Sequence, residues 1–303
     1  MRPLPEETVH LSFDPGPFRM AMGLIAREPD ALIELDACYP AELAERRALL
    51  DGNRAAVFAA LPESDAARAE VLALLGELLP RRFSDWFARD GVMLHNYITG
   101  ETWNLAEPPR DPLEVAGRLV QEDLCLLQPG PEGPVLTAAV LCFPSRWNLA
   151  EKLGRPLAAI HGPVPLYADR LSRPVDRLLA TLKPGRLVER LNWSLVDDAA
   201  LFQPGGHGRR AHNALVTAEN AGETVFLRVE RQTLSLLPAS GAVLFGIRIH
   251  RYPLARIAAR PAVAADLLDA VRALPEAMAT YKSLPPIRAA VLAYLAAHAE
   301  GCR

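Results

Sequence analysis

No apolar run in this 303-residue chain approaches the roughly 20 residues that a bilayer-spanning helix needs. The first residues, MRPLPEETVHLSFDPGPF, carry acids early and hold no uninterrupted apolar segment, so they do not read as a secretory signal. Charge of one sign is also in short supply. A net charge of −3 is too small to draw the chain to nucleic acid or an anionic membrane, and the Arg209-Arg210 pair reads as solvated loop charge. Cysteine is sparse: Cys38, Cys125, Cys142 and Cys302 stand far apart, with no CxxC pair and no iron–sulfur spacing. They are expected as buried or surface thiols in a reducing compartment, which makes the expected location cytoplasmic.

Several catalytic signatures are missing as well. The chain has no GxGxxG after a strand, no GxxxxGKS/T, no HExxH and no GxSxG, which disfavours nucleotide-dependent transfer, zinc hydrolysis and serine esterase chemistry. It shows no sign of a flavin domain of its own.

What is present is a globular composition, 50% hydrophobic and 23% charged, over a length that suits one large domain or two modest ones. A Pro-rich arm covers residues 1 to about 25. Helical patterns follow at about 40–51 and 64–79, the second capped by Ser64 and expected to stop at Pro80. A third helix is expected over about 112–121, with Asp111 as its cap and Pro112 at its first position. DLCLLQPG and PVLTAAVLCFPS then read as a hairpin. A helical, irregular stretch runs from about Trp147 to Leu182. Three β-type segments come next, LVERLNWSLVDD, VFLRVERQTLSLLP and AVLFGIRIHRYPL, and alanine-rich helices at about 261–274 and 284–299 close the chain.

Two strands, a helical insert and three strands follow the order of a PAS domain. The expected fold is therefore α+β: a PAS-like five-stranded antiparallel sheet with a helical insert, plus N- and C-terminal helices. Three regions follow: an arm and helical region over 1–121 that packs on the core, a PAS-like domain over 122–255, and C-terminal helices over 256–303.

Alternation in LRVERQTLSLL places Leu227, Val229, Arg231 and Thr233 on one face and Arg228, Glu230 and Gln232 on the other. Such a pattern fits an exposed sheet face carrying cross-strand ion pairs. It also fits an Arg that reaches into a cavity to pair with a carboxylate. His161 stands between an apolar run and a Gly-Pro breaker. It is either a core residue with a satisfied hydrogen bond or an imidazole available to a metal. His207 and His212 sit in a Gly/Arg-rich loop expected to be mobile or solvent-facing, and His95 and His250 read as structural. Trp193 and Tyr167 are either core aromatics or pocket lining. Glu230 is the carboxylate suited to a cationic amine, which needs a buried anion or a ring face to offset desolvation.

FRMAMGL, LIELDACYPAEL, IHGPVPLY, RLNWS and LRVERQTLSLLPASGAVLFGIRIHRYPL, in that order, resemble the haem-dependent oxidative N-demethylase α-subunit-like proteins over about residues 16–255. The resemblance implies a haem-b mono-oxygenase that uses O2 to demethylate a small secondary amine such as dimethylamine. NADPH, FMN and a 2Fe-2S centre would act only through partner reductase subunits. It implies His161 as the iron's axial ligand, Arg228 and Arg231 as anchors for a propionate or for oxygen, and Glu230, Arg231, Tyr167 and Trp193 as substrate-pocket groups. The alternative reading is a non-catalytic haem-binding sensor or haem carrier.

Overall fold

The computed structural model describes residues 2–13 and 16–299. Cys302 lies outside them, and Cys38, Cys125 and Cys142 are free thiols. Among the described residues there are ten strands: β1 Ile25–Arg27, β2 Phe58–Ala60, β3 Phe87–Asp90, β4 Met93–Asn96, β5 Glu101–Asn104, β6 Asp123–Gln128, β7 Val135–Val140, β8 Leu187–Val196, β9 Phe226–Leu236 and β10 Val243–Pro253. Seven form one antiparallel sheet in the order β1-β8-β9-β10-β6-β7-β2, and β3-β4-β5 form a separate small meander.

The expected five-stranded sheet is thus corrected to seven strands. The five expected from the sequence are contiguous within it, with the first hairpin strand, β6, beside the last strand, β10. Three-residue strands from the N-terminal region occupy both edges. Ile25 pairs with Glu189 on one side and Phe58 with Val140 on the other. Open edges leave backbone N–H and C=O groups unpaired, and short strands that cover them are too brief to show a two-residue period in the sequence.

Helices mostly fall where periodicity places them. Tyr39–Gly52, Pro261–Ala273 and Arg288–Ala299 lie close to expectation. The helix Asp65–Arg82 runs past Pro80, contrary to the expected stop. Pro80 forfeits the bond to Gly76 O, but buried Leu78 and Leu79 hold the last turn against the core and the Phe83 N–H donating to Leu79 O at 2.8 Å closes the helix. The third helix is shorter than expected, Pro112–Gly117, with Asp111 accepting from Leu113 N–H at 2.9 Å as its cap. Gly117 lies so close to Val140 on β7 that a Cβ there would meet its methyl groups at 2.6 Å.

Apolar side chains bury in two clusters. One lies between the sheet and the N-terminal helices, the other between the sheet and the C-terminal helices. The first part of the N-terminal arm is bound at successive points: Arg2 O accepts from Trp86 Nε1 at 2.9 Å, Pro5 O from Ala37 N at 2.8 Å, and Thr8 O from the Tyr252 hydroxyl at 2.7 Å. Among the described residues no helix is long and apolar enough to cross a membrane.

Candidate functional site

The period-two rule divides the large sheet into two chemically different faces. One face, carrying Arg190, Asn192 and Ser194 from β8, Arg228, Glu230, Gln232 and Leu234 from β9, and Phe245 and Ile247 from β10, walls a cavity of about 290 Å³. The insert between β7 and β8 covers it with Leu157, Ile160, His161, Tyr167 and Leu179, and the N-terminal arm adds Met20, Met22 and Leu24. The lining is mostly apolar. Among the described residues its cations are Arg146, Lys152, Arg190, Arg228 and Lys282, against one carboxylate, Glu230.

His161 follows the short helix Leu157–Ile160, and its Nδ1 lies 2.9 Å from Leu157 O. A carbonyl oxygen only accepts, so Nδ1 carries the proton and Nε2 keeps a free lone pair. Burial holds the His161 pKa below the ordinary imidazole value, which keeps the ring neutral. Tyr167 stacks on it, centroids 4.4 Å apart and planes 9° from parallel. Lys152 Nζ donates to Ile160 O at 2.9 Å and so anchors the end of that helix.

Glu230 Oε2 accepts from Gln232 Nε2 at 2.7 Å and from Asn192 Nδ2 at 3.1 Å. Lys282 Nζ donates to Asn192 Oδ1 at 3.1 Å and to Trp193 O, which completes a polar cluster on the cavity wall. Burial pushes the Lys282 ammonium down to about 8, against the attraction of Glu230. Burial also lowers the Arg190 pKa, and its buried Nε has no hydrogen-bond partner among the described residues; the Tyr167 hydroxyl and Arg146 Nη1 share that condition. Orphaned polar atoms are costly when buried, so a group of them around one cavity points to a ligand that pairs with them.

Backbone strain gathers here too. Among the described residues the non-glycine residues with φ in the left-handed region are Arg146 (64°), Leu166 (65°) and Ser283 (53°). Arg146 lines the cavity, while Leu166 and Ser283 adjoin the lining residues Tyr167 and Lys282. Such conformations persist where the surroundings over-determine them, and ligand sites are common among those places.

Of the residues singled out from sequence, the structure brings His161, Tyr167, Arg228 and Glu230 to this cavity. It does not bring Arg231 or Trp193. Arg231 points to the opposite face, where Nε pairs with Glu189 at 2.6 Å and Glu34 at 3.2 Å. The cross-strand ion pairs expected of that face exist, but buried rather than exposed. Trp193 also faces away, with Phe13 edge-on to its ring at 6.0 Å. Arg228 reaches the lining, yet its donors are spent on Ser145 Oγ and on the carbonyls of Phe143, Pro144, Ala200 and Leu201 at 2.9–3.2 Å. It clamps two loops rather than offering a free anchor. His207 is exposed, as the solvent-facing expectation has it, and it also lies at the cavity rim, stacked on Tyr281 at 4.9 Å. His95 lies on β4 with Nδ1 2.9 Å from Thr102 Oγ1.

Arg190, Asn192, Arg146 and Lys282 escaped the sequence reading. Alternation along RLNWS would have put Arg190 and Asn192 together on one face. Nothing local signals Lys282, which enters from the C-terminal helices about 90 residues later in the chain.

An antiparallel sheet that walls an apolar, cation-rich cavity against an imidazole-bearing insert defines an α+β protein with a ligand-type pocket. The chain belongs to the family described as haem-dependent oxidative N-demethylase, alpha subunit-like, whose family model matches residues 23–292.

Proposed function

We propose that the cavity holds haem b within a PAS-like core and that the protein demethylates a small secondary amine such as dimethylamine. Electrons would come from NADPH through separate reductase subunits carrying FMN and a 2Fe-2S centre. The contiguous block β8-β9-β10-β6-β7, interrupted in sequence by the helical insert, supports the PAS-like reading. The observation that carries the cofactor assignment is His161: a neutral ring with Nδ1–H bound to a backbone carbonyl and Nε2 left as a ligand atom, the arrangement that fixes metal-bound imidazoles.

The residues present fit the group. Apolar walls suit a macrocycle, and the excess of cations over carboxylates suits a ligand that carries two propionates. His161 would hold the iron, and Arg190, with Tyr167 and Arg146, would meet the carboxylates. Arg228 would act at one remove, by holding the loops at 143–145 and 200–201 that border the cavity. When bound, haem supplies oxygen activation and oxidation of the amine.

This chain's own residues receive and place the substrate. Glu230, its Oε2 oriented by Asn192 and Gln232, offers a carboxylate to the secondary ammonium. Lys282, bonded to Asn192 beside Glu230, puts a positive charge near that carboxylate while protonated and removes it on losing its proton. Met20, Met22 and Leu24 exclude bulk water from one side, which strengthens the pairing.

Hemin reconstitution of the purified chain tests the reading. A one-to-one complex with a Soret band that shifts on adding dimethylamine, followed by formaldehyde release with a surrogate reductant, is the expected result. Failure to take up hemin sinks it, and haem uptake without amine-dependent formaldehyde leaves the carrier or sensor reading instead.

A further inference from the structure

The opposite face of the sheet holds a second constellation that the cavity chemistry does not use. His10 from the arm, Glu34 from the segment after β1 and His250 from β10 converge there. His10 Nε2 lies 3.1 Å and His250 Nε2 3.2 Å from the same oxygen, Glu34 Oε2. All three ligand atoms lie within 4.8 Å of one another. Donors about 2.0–2.2 Å from a zinc-type ion in a tetrahedral shell sit roughly 3.3–3.5 Å apart, close to these separations.

The surroundings match such a site in two further ways. His250 Nδ1 faces Glu7 Oε1 at 3.4 Å, and Glu7 is itself held by Arg256 at 2.8 Å; a carboxylate behind a ligating imidazole orients the ring and raises its basicity. The other Glu34 oxygen is braced by Arg231 at 3.2 Å. Glu34 keeps 24% of its side chain exposed, which leaves room for water as a fourth ligand.

Two imidazole N–H groups donating to one carboxylate oxygen would account for the distances alone. Both nitrogens of His250 face carboxylates, so that arrangement requires His250 as an imidazolium, with the His10 ring centroid 4.6 Å away. A divalent cation at the point shared by the two Nε2 atoms and Glu34 Oε2 lets each of those nitrogens act as a lone-pair donor while His250 Nδ1 still donates to Glu7.

We propose that His10, Glu34 and His250 bind a divalent transition-metal ion of the zinc type, with Glu7 orienting His250. Two nitrogens and one carboxylate suit zinc or ferrous iron more than calcium or magnesium. The ion would fasten the N-terminal arm to the back of the sheet, ahead of the stretch that carries Met20 and Met22 to the cavity. The site stands independently of haem.

The full chain, stripped with EDTA and dialysed against zinc chloride, should retain about one zinc per chain by elemental analysis, counted apart from iron, and should melt at a higher temperature with zinc than without. His10→Ala and Glu34→Gln should each weaken zinc binding at least tenfold with unchanged circular dichroism. Glu7→Gln should weaken it about tenfold, and His212→Ala should not change it. If Glu34→Gln does not fold, His10→Gln tests the same point with a hydrogen-bonding side chain in place. No zinc on the folded wild-type chain, equal retention by the His10 variants, or loss of zinc in His212→Ala overturns the proposal.

Discussion

At the scale of single residues, the cavity is decided by which polar atoms are already satisfied. Arg228 and Arg190 face the same space, but the first spends its donors on carbonyls while the second keeps a buried Nε unpaired. His161 is the sharper case. His161→Ala should abolish or greatly weaken haem retention with the fold intact, read as loss of the Soret band at unchanged circular dichroism; an unchanged spectrum would move the iron to another ligand. Lys282 yields a pH prediction. Its folded pKa, about 8, lies below that of an unfolded lysine, so between about pH 8 and 10.5 the unfolded chain binds the extra proton. Stability from this group is therefore depressed below pH 8 and recovers as pH rises through that window. Binding of a secondary ammonium at Glu230 should tighten over the start of the same window, as Lys282 gives up its charge. Lys282→Met should flatten that rise in a titration followed by the Soret shift, and a wild-type rise that survives the substitution would remove Lys282 from the account.

At the scale of elements, alternation was legible where strands are long. Arg228, Glu230 and Gln232 share a face as their two-residue spacing requires, and the same rule sends Arg231 to the other side. The sequence could not say which face held the cavity, because both carry arginine and both are buried. Edge strands of three residues were invisible for want of a period, and Pro80 misled because burial of Leu78 and Leu79 holds the last helical turn despite the local cost of the proline. His10, Glu34 and His250 belong to separate segments, so their meeting is a product of topology alone. Close packing between strands supplies a further test. On β10, Gly246 lies opposite Thr233 on β9, and a Cβ at Gly246 would come within 2.6 Å of Thr233 Oγ1. Gly246→Ala should cost about 1–3 kcal/mol in urea unfolding. Adding Thr233→Ala, which deletes the clashing oxygen, should recover most of that loss; additive losses would mean that the strain lies elsewhere.

At the scale of the whole molecule, the arm serves both faces of the sheet. Phe13 packs on Trp193, His10 meets His250, and Met20, Met22 and Leu24 close the cavity. Deleting residues 2–22 should therefore speed transfer of haem to an apomyoglobin acceptor severalfold, while far-UV circular dichroism retains the signal of the remaining sheet and helices. An unchanged transfer rate would show that the arm is not part of the enclosure.

Because Glu230 and Arg231 are chain neighbours on opposite faces of one sheet, their separation depends on β9 keeping step with β8 and β10. Losing one residue in the loop before β9 leaves that alignment untouched. Losing one from the middle of the strand turns everything beyond the gap inside out, swapping cavity and network side chains. Single deletions among the exposed residues 210–212 should accordingly be tolerated and those within 227–235 should fail, the mid-strand failures following alignment rather than the hydrophobic area removed.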